Sequence, residues 1–142
     1  MPIEIRGLTP LLQVFDMPTS IAFYRDMLGF RIVSTDGKPV PENDWVLLEL
    51  NGLHLMLNTA YEADQRPSAP DVARIALHGD TCIYLACPDV DGAHQYLSDK
   101  SVKHQSPKVA PYGMKQLYLH DPDGYSLCFQ WTADKSEWSK AS

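Results

Sequence analysis

One order of elements, written twice, constrains this chain more than any other feature of it. In the first half, LTPLLQVFD reads as a strand ending at Asp16, a residue able to cap the helix that Pro18 starts. Met17, Ile21, Tyr24 and Leu28 then fall at spacings of four, three and four, the apolar stripe of one amphipathic helix face, and Gly29 supplies the stop. A strand over residues 30–35 leads into the loop DGKPVPEND. Two apolar runs, 45–50 and 53–58, are joined by Asn51-Gly52, a strong hairpin signal because both positions favour positive φ. The half reads β-α-β-β-β.

The second half repeats this order after a polar stretch, residues 61–79, that reads as a connector with Pro67 and Pro70. TCIYLAC is a strand, Asp89 sits where Asp16 sat, and Val90, Ala93 and Leu97 make the next helical stripe. A short strand is expected near residues 102–105, before the loop SPKVAPYG. MKQLYLH and GYSLCFQW form a hairpin around Asp121-Pro122-Asp123-Gly124. The expectation is an α+β single domain over residues 1–142. It is built of module one (5–60), the connector (61–79), module two (80–131) and a C-terminal tail (132–142). The two tandem β-α-β-β-β modules should form a curved mixed sheet around a cleft, with helices on the outer face.

Strand alternation sorts the faces, because successive side chains point to opposite sides. Tyr125, Leu127, Phe129 and Trp131 share one side of the last strand, opposite Ser126, Cys128 and Gln130. Leu53, Leu55 and Leu57 oppose His54, Met56 and Asn58, while Ile83, Leu85 and Cys87 oppose Cys82, Tyr84 and Ala86. The helices should cover the apolar sides. The other side carries His, Met, Asn, Cys, Tyr, Ser and Gln, the composition of a binding cleft. The same composition also suits a solvated surface or a dimer interface.

Composition narrows the function classes. With 44% hydrophobic and 21% charged residues the chain is globular, and no apolar run is long enough to span a bilayer. A net charge of −6 without a basic cluster argues against nucleic-acid or anionic-membrane partners. The three cysteines, Cys82, Cys87 and Cys128, have no CxxC spacing and read as thiols in a reducing, cytoplasmic compartment.

VFDMPTSIAFYRDMLGFRIV and LYLHDPDGYSLCFQW together resemble the first-module signature and the closing hairpin of the vicinal oxygen chelate superfamily. That superfamily groups glyoxalase I, bleomycin-resistance proteins and extradiol dioxygenases. In its metal-dependent members, the resemblance implies, ligands come from the first, fourth, fifth and eighth strands, usually two His with one or two Glu. Here those positions fall on Thr9, Met56, Cys82 and Cys128, with neither imidazole nor carboxylate among them. The branch implied is the bleomycin-resistance-like one, without the usual metal ligands, and such proteins usually work as homodimers.

The expected function is a metal-free, cofactor-free small-molecule binder that sequesters an aromatic or cationic ligand. Trp45, Tyr84 and Tyr118 would supply stacking surface, with Met56, Cys82 and Cys128 on the same polar side. Gln13, His54, Asn58, Gln116 and Gln130 would supply orienting hydrogen bonds. The alternative is a glyoxalase-like lyase or isomerase, or a dioxygenase-type enzyme, using non-standard ligands or His54 or Glu49 as acid or base. Met56, Cys82 and Cys128 can also be read as a soft-ion site or as small apolar fillers.

Overall fold

In a computed structural model that describes residues 3–138, the chain forms two compact units divided between Pro70 and Asp71. The first contains β1 (Leu11–Val14), α1 (Met17–Ile21) running on as a π-helical segment (Ala22–Met27), β2 (Arg31–Thr35), β3 (Trp45–Leu50) and β4 (Leu53–Thr59). The second contains α2 (Val72–His78), β5 (Cys82–Ala86), α3 (Val90–Asp99), β6 (Lys108–Val109), β7 (Met114–His120), β8 (Ser126–Thr132) and α4 (Lys135–Trp138). Each unit holds a four-stranded sheet, ordered β1-β4-β3-β2 and β5-β8-β7-β6. Both are mixed: the opening strand runs parallel to the closing one, and the other pairs are antiparallel.

The local signals act as the residues dictate. Asp16 accepts a hydrogen bond from the Thr19 N–H at 3.2 Å and Asp89 from the Gly92 N–H at 2.9 Å, so both helices start on an aspartate cap. Met17, Ile21, Tyr24 and Leu28 are all buried, as their stripe requires. At the π-helical segment the Leu28 N–H reaches back to the Phe23 carbonyl at 3.0 Å, and the adjacent Phe23 and Tyr24 are both inside. Asn51 and Gly52 take positive φ values of 53° and 84°, the backbone of a two-residue hairpin.

In the first sheet Leu12, Val14, Val46, Leu48, Leu55 and Leu57 share one buried side, onto which α1 packs. In the second, Leu117, Leu119 and Leu127 are buried on the side that meets α3. Two members of the expected apolar sides depart from the pattern. Leu53 and Trp131 are 55% and 45% exposed, because each stands at the end of its strand, where alternation continues and cover does not.

Two element assignments also differ from the sequence reading. Residues 102–105 form no strand; β6 is the two-residue Lys108–Val109, inside the stretch read as loop, and the Gln105 N–H bonds to the Tyr118 carbonyl at 2.8 Å instead. Helix α2 lies inside the connector. It has no buried residue, since Val72 and Leu77 are left exposed, and it is held over the DPDG turn largely by polar contacts. Arg74 pairs with Asp123 at 2.9 Å, and the His78 Nδ1–H donates to the Asp123 carbonyl at 2.7 Å while its ring stacks on Tyr125 at 4.0 Å. Gly124, at φ 88°, lies against Ile75 of α2, and a Cβ there would collide with the Ile75 carbonyl.

The two sides of β5 and β8 should respond differently to truncation. Leu127→Ala should cost roughly 2 to 5 kcal/mol through a core cavity. Tyr84→Ala, at a half-exposed side chain on the opposite face, should cost less than about 1 kcal/mol. Urea unfolding measures both, and equal losses would show that the faces are sorted wrongly.

Candidate functional site

The side of each sheet opposite its helix carries its polar residues in register rows, since directly paired residues share a face, and in the second sheet Gln116, Ser126 and Cys128 on that side are buried. In the first sheet, Gln13 pairs with Asn58 and Asn58 with Trp45, making one row across β1, β4 and β3. Met56 lies in the next row, between Leu11 and Leu47. His54 pairs with Glu49, which pairs with Arg31. All six expected residues of this module therefore face the same way, His54 and Gln13 exposed and the others half-buried.

Bonding decides what those groups can do. The Asn58 amide donates to the Thr59 carbonyl at 3.2 Å, beside its own backbone. Glu49 accepts from the Gly52 N–H and from the Arg31 guanidinium, each at 2.6 Å. That backbone N–H, followed by Arg31, holds the Glu49 carboxyl below its usual range. A carboxylate stabilised in its charged form is a poor proton acceptor, which disfavours Glu49 as a general base.

In the second sheet, Tyr84, Cys128 and Tyr118 form one row across β5, β8 and β7, and Ala86, Gln130, Gln116 and Lys108 form the next. Cys82 lies in the row of Ser126 and His120, one pair along from Cys128 on the same side. The hydroxyls of Tyr84 and Tyr118 meet at 3.1 Å, with the rings edge to face at 6.4 Å. The Gln116 Nε2 donates to the Tyr112 hydroxyl at 2.8 Å and to the Gln130 Oε1 at 2.9 Å. Tyr112 was not among the expected residues. It lies in a loop, outside strand alternation, and only its bond to Gln116 shows it.

The chemistry of this row is that of neutral groups. The hydrogen bond shared with Tyr84, then burial, pushes the Tyr118 phenol well above its ordinary value, so it stays protonated. Burial raises the thiols of Cys82 and Cys128, and Cys128 is fully buried. A protonated, sealed thiol is a weak nucleophile and a weak ligand. The residues that the resemblance sets at metal positions offer a hydroxyl (Thr9) and a thioether (Met56) in the first unit and two thiols (Cys82, Cys128) in the second. Hard and borderline divalent ions prefer carboxylate oxygen or imidazole nitrogen, which none of these supplies. Among the described residues no group of three or more His, Cys, Asp or Glu side chains could hold a metal ion.

Two cavities accompany these surfaces. One, of about 440 Å³, lies beside β6 and β7 and is lined by Gln116, Tyr118, Val109, Pro111 and Tyr112 among others. Its size falls within the roughly 300–1,000 Å³ of small-molecule sites. The other, about 300 Å³, lies in the first unit near Phe15, Asn43 and Tyr61. There Lys38 is paired with Asp44, and Arg66 with Asp16 at 2.6 Å. Asn43 Oδ1, which has no hydrogen-bond partner among the described residues, is sealed from solvent. Glu42, Thr59 and Tyr61 also line the second cavity; the first is the larger of the two and lies beside the tyrosine and amide rows.

Two modules of β-α-β-β-β order, each a mixed sheet with a helix on one side and polar rows on the other, define a protein of the vicinal oxygen chelate fold. The chain belongs to the glyoxalase/bleomycin resistance protein/dioxygenase superfamily, whose family model matches residues 8–129. Among curated proteins, none matches significantly. Solved structures share the fold at low identity. A bleomycin resistance determinant encoded on the transposon Tn5 is 21% identical, with a TM-score of 0.67, over 90% of this chain and 98% of that one. TnmS3, an antibiotic-binding protein from Streptomyces, is 21% identical with a TM-score of 0.64, over 94% and 99%. A glyoxalase/bleomycin resistance protein/dioxygenase from Nocardioides is 17% identical with a TM-score of 0.68, over 95% and 89%.

The state of the thiols gives a direct test. In the folded protein at neutral pH, iodoacetamide should modify Cys128 more slowly than in the urea-unfolded chain, by roughly tenfold or more. Peptide mapping by mass spectrometry follows the rates, and comparable rates would mean an activated thiol.

Proposed function

We propose that this protein is a non-catalytic, metal-free binder that sequesters a small aromatic molecule on the uncovered face of its second sheet. One observation carries the reading. Tyr84 and Tyr118 present aromatic surface in the row next to Gln116 and Gln130, and Gln116 and Tyr118 line a cavity of ligand size. Aromatic side chains pack a planar ligand edge to face or offset, and the amides orient it. Of the groups that catalysis would need, Glu49 is bonded to Arg31 and Gly52 and the thiols are raised, which leaves His54, exposed and paired in register with Glu49, as the candidate acid or base of the enzymatic alternative. Two structural neighbours are described as an antibiotic-binding protein and a resistance determinant, which supports binding over turnover. The first-sheet residues Gln13, Trp45, His54, Met56 and Asn58 belong to this proposal as a further polar face. Among the described residues no helix is long and apolar enough to cross a membrane. The proposed setting is the cytoplasm, with the cysteines as thiols.

Planar aromatic compounds that bind should raise the melting temperature in proportion to the logarithm of concentration. Each should be recovered chemically unchanged, and Tyr118→Ala should weaken binding by roughly 1 to 3 kcal/mol. Calorimetry and mass spectrometry read these outcomes. Turnover of a bound compound, or about one metal ion per chain after dialysis, would replace the binder reading with an enzymatic one.

We also propose a homodimer. The uncovered sheet faces and exposed apolar side chains such as Leu11 and Leu53 suit a self-complementary contact. Light scattering should give about twice the 16.0 kDa of one chain. A monomer at high micromolar concentration would overturn this.

A further inference from the structure

The cavity beside β6 and β7 has an uneven supply of charge and hydrogen-bonding groups, and its selectivity for one ligand class rests on, and deepens, the aromatic-binding reading. Among the described residues Lys108 is the cavity's one charged lining residue. It stands opposite Gln116 in the β6–β7 register, hence on the same face. It forms no ion pair among the described residues. Gln116 is only 7% exposed, and its Nε2 is spent on Tyr112 and Gln130. Its Oε1 has no partner among the described residues. The Tyr112 hydroxyl accepts from Gln116, which leaves its own proton free to be donated.

We propose that this cavity selects a small aromatic carboxylate bearing a hydroxyl or amino group, with the carboxylate at Lys108 and the Tyr112 hydroxyl and the donor substituent at Gln116 Oε1. The unpaired ammonium and the free hydroxyl proton both donate, which suits an anion and rejects a cation. An amide oxygen without a protein partner, lining the cavity, favours a ligand that brings an N–H or O–H. Tyr118 offers its ring as the wall, with Val109 and Pro111 as apolar neighbours. The chain's net charge of −6 would draw cations at long range. That attraction is screened beyond about 8 Å at physiological salt, so the contact with Lys108 decides selectivity.

The test is isothermal titration of the full chain with benzoate, the hydroxybenzoate isomers, benzamide and benzylammonium. Benzoate should bind about two- to fivefold more tightly than benzamide, the range for an ion pair at an exposed lysine. At least one hydroxybenzoate should bind more tightly still, and benzylammonium most weakly. Lys108→Met should bring the benzoate-to-benzamide ratio close to one. Lys108→Arg should keep it, as should Lys103→Met, which removes an exposed lysine that does not line the cavity. A ratio that survives in Lys108→Met, or benzylammonium as the tightest ligand, overturns the anion assignment while aromatic binding stands. Binding of none of the probes, with no change in melting temperature, overturns the aromatic-binding reading itself.

Discussion

Burial of one face of each sheet under a helix is the constraint on which everything else in this protein depends. Val14, Val46, Leu48 and Leu57 in one unit, and Leu117 and Leu127 in the other, are almost wholly removed from solvent. Each such side chain contributes roughly 1.5 to 3 kcal/mol by leaving water. Because strand side chains alternate with period two, a register slip of one residue would turn that whole set outward. The core thus pins the register, and the register in turn lines up Gln13 with Asn58 and Trp45, and Tyr84 with Cys128 and Tyr118. The polar rows are placed by apolar residues on the opposite face.

The second unit adds a polar clamp at one end of its sheet. Asp121 accepts from the N–H groups of Asp123 and Tyr125, each at 2.9 Å, and the buried carboxylate of Asp123 is matched by Arg74 from α2. Removing one partner of such a pair strands a charge, so the contact is costly to break even where its net contribution is small. The clamp sits directly before β8, the strand that supplies Ser126, Cys128 and Gln130. Its effect is to fix where that strand begins, and so which of its side chains face the cavity side.

Neutrality distinguishes the site from an activated one. A nucleophilic centre would show a lowered thiol, a free carboxylate or an imidazole held by a partner. Here burial raises the thiols of Cys82 and Cys128, the phenol of Tyr118 is raised further by its neighbour, and Glu49 is consumed by Arg31 and a backbone N–H. Aromatic surface, amide groups and a lysine line the cavity of the second unit, and the proposed binding of a planar solute rests on that set.

The doubled element order, the aspartate caps, the Asn-Gly hairpin and the sorting of strand faces were all legible in the sequence, because each depends on a local rule: a cap position, a turn's φ, an alternation of period two. The same rules brought Tyr84, Tyr118, Gln116 and Gln130 to one face. Helix α2 has local signals in its Asp71 cap and in Gly79 at its end, but the sequence could not show its contact with a turn about fifty positions away, at Asp123 and Gly124. Nor could it place β6, two residues long, or bring the loop residue Tyr112 to Gln116. Whether a group is free or spent was beyond it altogether. Glu49 and Lys108 are both charged residues on strands, but one is held by two donors and the other faces a cavity unpaired among the described residues. That difference arises only when the chain closes and distant groups either meet or fail to meet, so the sequence determined the faces and only the tertiary structure decided their chemistry.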